Sequence, residues 1–153
     1  MWYKLAIENN LENQLKELKP LLAAKAQEIY DEWDEDDIDT YAGGGICHFI
    51  ADGFVEILNE KFPKLVSFTI SDSYEVHVYA AIADITEEEL ENEDSEIDGA
   101  YVYNVDIHHS VYETGGGYSW SKIPNIEFSP DDVSIYKQWV DLENIRTMWS
   151  GNY

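Results

Sequence analysis

The sequence predicts an α+β fold, with helices first and a small antiparallel sheet after them. Three observations carry that expectation. Apolar residues recur at helical spacing between Asn9 and Trp33 and again between Ile46 and Leu58. Further along, β-branched and aromatic residues crowd four segments, Leu65–Ile70, Val76–Ile82, Ala100–His108 and Val133–Val140. Neither an internal repeat nor a linker divides the 153 residues, so one domain is expected over 1–153, helical over about 9–62 and sheet over about 65–140.

Taken in order, Leu11, Leu15 and Leu18, then Leu22, Ala26, Ile29 and Trp33, predict one broken helix or two short ones, with Pro20 in a first turn. The acidic run Asp31–Asp39 reads as a solvated helix end and loop. Gly43, Gly44 and Gly45 permit close approaches that other residues forbid. Ile46, Phe49, Ile50, Phe54, Ile57 and Leu58 then form a wide apolar face on a helix that should be largely buried, ending before Pro63. Between the second and third strands, Asp84–Asp98 carries nine carboxylates and no basic residue, and reads as the mobile tip of a long hairpin.

Charge removes several functions. With 9 Lys+Arg against 32 Asp+Glu the net charge is -23, which repels phosphate backbones and anionic membranes and makes basic protein partners the natural ones. With 44% hydrophobic and 14% aromatic residues, the chain can still bury a core. No apolar run is long enough to span a bilayer and Met1–Asn10 lacks a signal-peptide layout, so a soluble protein of the cytoplasm is expected. The single cysteine excludes an intramolecular disulfide and any zinc site built on several thiolates.

That cysteine, Cys47, follows the triple glycine at the start of the buried helix. A helix N-terminus favours a thiolate, and glycines leave the sulfur open and backbone N–H groups near Gly45 and Cys47 available to an oxyanion. The alternative is a small buried hydrophobe. A nucleophilic cysteine needs a base. His48 is its sequence neighbour and so points about 100° away on the helix. His77 opens a strand in which it is the odd polar residue. A turn centred between Asp84 and Asp98 makes paired residue numbers total about 182 or 183, and at 183 His77 stands opposite Asp106, an odd carboxylate between Val105 and Ile107. The alternatives are a satisfied histidine and a strand-end aspartate facing water.

A cysteine at a helix start after glycines, a histidine heading a strand and an aspartate on the next strand resemble the papain-like superfamily, especially its transglutaminase-like branch. The stretches that carry the resemblance are Gly44-Gly45-Ile46-Cys47, His77-Val78-Tyr79 and Asn104-Val105-Asp106. They are similar to those of small phage and bacterial proteins with a Gly-Gly-Gly-Ile-Cys start and a Tyr-Glu-Thr-Gly-Gly-Gly-Tyr segment, here Tyr112–Tyr118. The resemblance covers roughly Tyr41–Trp139. It implies a papain-like core and a catalytic triad of Cys47, His77 and Asp106, with no cofactor. Gly44, Gly45, Tyr118 and Trp120 are expected along the cleft.

The expected activity is hydrolysis or acyl transfer at an amide, isopeptide or thioester bond of a protein or peptide. A second expectation, of another class, is a non-enzymatic phage-type inhibitor whose carboxylates mimic nucleic acid and fill a basic cleft on a host protein. The segment Ser110–Trp120, with Gly115, Gly116 and Gly117, lacks the ending of a phosphate-binding loop and reads as a wide turn or as a cleft wall. His108 and His109, as strand neighbours, should face opposite sides and so not share a metal.

Overall fold

The structure, a computed structural model, describes residues 2–32, 45–72, 77–94, 96–114, 121–123 and 125–150. Two helices lead, α1 (Trp2–Glu17) and α2 (Lys19–Glu32), parted by a turn at Leu18. Pro20 is tolerated because it falls in the first turn of α2, where its missing N–H has no helical acceptor anyway. The first helix begins well before Asn9, in a stretch whose apolar spacing gave no warning of it. A third helix, α3 (Gly45–Lys61), presents Ile46, Ile50, Phe54 and Leu58 inward, all at most 2% exposed. Phe49 departs from the expected buried face and is 38% exposed, because it lies on the side of α3 that α2 only partly covers.

Four strands form one antiparallel sheet: β1 (Leu65–Asp72), β2 (His77–Thr86), β3 (Gly99–Asp106) and, after the two-stranded ladder of β4 (Glu113–Thr114) and β5 (Ser121–Lys122), β6 (Ser134–Asp141). The order across the sheet is β1-β2-β3-β6. Alternation along the strands divides the apolar residues between two cores. Ala80, Ile82, Tyr103 and Val105 pack with α1, α2 and α3 on one face. Ala81, Ala83, Ala100 and Val102 pack on the other with Leu90, Ile145 and Met148. The arrangement is thus α+β with a four-stranded antiparallel sheet, and no helix among the described residues is long and apolar enough to cross a membrane.

The second core corrects the reading of Asp84–Asp98 as a solvated tip. Strand β2 continues to Thr86, and Glu87–Glu91 form a short helix, α4. Thr86 and Glu89 make a reciprocal capping box, and three glutamates occupy the first turn, where the helix dipole favours negative charge. Leu90 is fully buried, and Arg146 donates from Nε to its carbonyl at 2.7 Å and from a terminal nitrogen to that of Asn92 at 3.3 Å. Arg146 belongs to α5 (Leu142–Trp149), a helix capped by Asp141 that completes this face.

Candidate active site

After α3, the chain reverses into β1, which runs back along that helix, so β2 starts near the helix N-terminus. The first residue of β2 is His77 and the third of α3 is Cys47. Strand β3 then returns antiparallel to β2 and ends at Asp106, at the same end of the sheet. Asp106 is pinned there by pairing with Ser134 of β6, whose hydroxyl donates to the Asp106 carbonyl at 3.3 Å.

The expected register is corrected by two residues. Ala80 pairs with Val105 and Ala81 with Asn104, which extends to Tyr79 opposite Asp106 and leaves His77 one diagonal step away. A slip of two preserves the face of every side chain, where a slip of one would have reversed it. The diagonal pair closes fully: His77 Nε2 donates to Asp106 Oδ2 at 2.9 Å and lies 3.1 Å from Oδ1. Since a carboxylate oxygen accepts, Nε2 is the donor of this pair, which fixes where the ring carries that proton.

Cys47 also influences the ring, but it is buried, 7% exposed within the first core, which corrects the expectation that the glycines leave its sulfur open. The His77 side chain is 2% exposed and that of Asp106 18%. Burial alone would push the imidazole pKa down, but hydrogen bonding to Asp106 and to Cys47, with the charge of both, outweighs it and holds the ring at about 10. Nδ1 is buried and has no hydrogen-bond partner among the described residues. By strand alternation His77 is in phase with Tyr79 and Ala81, which pack with the second core on the face away from α3.

Two further imidazoles border the site. The His109 ring lies 4.9 Å from that of His77, the His108 ring 5.8 Å, and the two are 4.3 Å from each other. This overturns the expectation that they face opposite sides. Strand β3 stops at Asp106, and His108 caps a 3-10 turn over His109–Val111 by accepting from the Ser110 N–H, so strand alternation no longer applies. The change from apolar alternation to His-His-Ser was the available signal. Tyr79 stacks at 6.0 Å on the same ring. Among the described residues no three His, Cys, Asp or Glu side chains are grouped to hold a metal ion. His48 turns away, as expected, to Asp52 at 3.2 Å.

Of the expected cleft residues, Gly45 is the first residue of α3, while Gly44, Tyr118 and Trp120 lie outside the described residues. No protein family, no curated protein and no solved structure matches the chain.

Proposed function

We propose that the protein is a cysteine-dependent hydrolase or acyltransferase, acting at an amide, isopeptide or thioester bond of a protein or peptide on a papain-like, transglutaminase-like core. The observation that carries this reading is the buried His77 ring, bonded to Asp106 at Nε2 at 2.9 Å and influenced also by Cys47. Those are the three roles a thiol nucleophile requires: sulfur, proton carrier and orienting carboxylate.

The proton balance follows from the charge on the ring. With its pKa raised to about 10, His77 carries a proton at neutral pH, and in this reading it is the acid that serves the leaving group once the Cys47 sulfur attacks. Sulfur attacks the carbonyl carbon. The carbonyl oxygen gains the negative charge, and amides of the first turn of α3, which have no acceptor within the helix, stabilise it. Collapse breaks the bond to the leaving amine or thiol, which takes the His77 proton and leaves an acyl-thioester on Cys47. Water or an amine then gives a proton back to His77 as it attacks that thioester, and product leaves with Cys47 regenerated. Asp106 remains a carboxylate throughout and keeps the ring oriented. A reducing cytoplasm, bacterial or that of a phage-infected host, would keep the lone thiol available.

The test is intact-mass analysis after incubation with a panel of peptide thioesters. A covalent acyl adduct on the wild-type chain that is absent from Cys47→Ala supports the reading. Turnover of any substrate that persists in Cys47→Ala overturns it.

A further inference from the structure

Away from Cys47, a groove of about 400 Å3 runs between α2 and α3, lined by Lys25, Ile29, Glu32, Phe49, Asp52 and Glu56 with Gly53 at its floor. The helices approach closely because of that glycine, where a Cβ would come within 2.6 Å of Ile29 Cδ1. The floor is apolar. Phe49 is 38% exposed, and Leu21, one turn before Lys25 on α2, is 44% exposed.

The rim is acidic. Three carboxylates, Glu32, Asp52 and Glu56, face one cation, Lys25. Asp52 shares its charge with His48 at 3.2 Å, whereas Glu32 and Glu56 have no salt-bridge partner among the described residues. Phe49, Asp52 and Glu56 recur over two turns of α3, a strip about 10 Å long at 1.5 Å per residue. An apolar strip of that length with separated carboxylates calls for a chain bearing alternating apolar and cationic groups, because each side chain can then find its own complement. A second copy of this chain is the wrong occupant, since it would bring another charge of -23 to the contact.

We infer that the α2–α3 groove docks a basic amphipathic segment of a partner protein, with aliphatic side chains on Ile29 and Phe49 and Lys or Arg heads against Glu32, Asp52 and Glu56. The surface is separate from Cys47, His77 and Asp106, so the inference stands or falls independently of the catalytic reading.

The experiment is an NMR titration of the 15N-labelled full chain with a synthetic amphipathic Leu/Lys peptide, with its Leu/Glu counterpart as control, at 0.05 and 0.5 M salt. The expected result is saturable shifts confined to α2 and α3, weakened at least tenfold by high salt and absent with the Leu/Glu peptide. Phe49→Ser leaves every carboxylate in place and should weaken binding about tenfold; Glu56→Lys, an exposed replacement, should do the same by charge. The acidic runs of the sequence are the competing explanation, and they predict binding that Phe49→Ser leaves intact, which would overturn the inference. So would absence of binding to the Leu/Lys peptide, or sedimentation showing a dimer that Phe49→Ser disperses.

Discussion

Replacing Asp106 by Asn removes the charge from the His77 partner while keeping a group of the same shape, and its effect should depend on pH in a calculable way. A histidine whose pKa rises from 6.5 to about 10 on folding stabilises the native state fully below pH 6.5, and that contribution is lost as pH climbs to about 10. At ~1.4 kcal/mol per pH unit, the group contributes on the order of 4 kcal/mol at pH 7 and about 1 kcal/mol at pH 9. Little solvent screening applies, because the His77 and Asp106 side chains are 2% and 18% exposed. Asp106 is the larger of the two raising influences, ahead of Cys47. Asp106→Asn should therefore destabilise by roughly 2–3 kcal/mol at pH 7 and by under about 1 kcal/mol near pH 10. Urea unfolding followed by tryptophan fluorescence measures both chains across this window, and groups common to both cancel in the difference. NMR titration of the His77 Cε1–H should show the wild-type ring still protonated at pH 8 and the variant ring losing its proton at least one pH unit earlier than the wild type. A stability difference independent of pH, or a wild-type ring titrating near 6.5, would refute the argument.

Three other outcomes are expected. Leu90→Ala should cost about 2–5 kcal/mol in urea unfolding, since the residue is fully buried; a loss under 0.5 kcal/mol would return Asp84–Asp98 to a solvated tip. Gly99→Ala should cost about 1–3 kcal/mol in thermal or urea unfolding, because a Cβ there would collide with the Val140 backbone carbonyl across β3 and β6, and backbone cannot yield as a flexible side chain does. Arg146→Met keeps the aliphatic stem but removes the hydrogen bonds to the carbonyls of Leu90 and Asn92; hydrogen exchange of α4 should accelerate and stability fall by about 1–3 kcal/mol.

What the sequence made legible was set by the strength of local signals. The sheet strands were readable from runs such as Val78–Ile82, where β-branched and small apolar residues serve two cores at once, and α3 from the recurrence of Ile46, Ile50 and Phe54. Register was readable only to within two residues, because the turn between β2 and β3 contains a helix rather than a symmetric tip. There the count of like charges outweighed a capping box, Thr86 to Glu89, that was visible in the sequence. Helix α5 was equally visible, with Asp141 as its cap and Leu142, Ile145 and Met148 at helical spacing. The site was legible as an alignment of odd polar residues in apolar surroundings, His77 and Asp106. The approach of His108 and His109 was not, since it depends on where β3 ends.

The central claim is that Cys47, His77 and Asp106 act as one unit, and alkylation kinetics of the thiol test it most directly. Cys47 is the sole cysteine, so iodoacetamide labelling reads it alone. The account predicts that at pH 6.5 the native thiol reacts at least tenfold faster than in the urea-unfolded chain, that His77→Ala abolishes this advantage, and that Asp106→Asn reduces it. Native labelling no faster than unfolded labelling, or a native rate unchanged in His77→Ala, would contradict it.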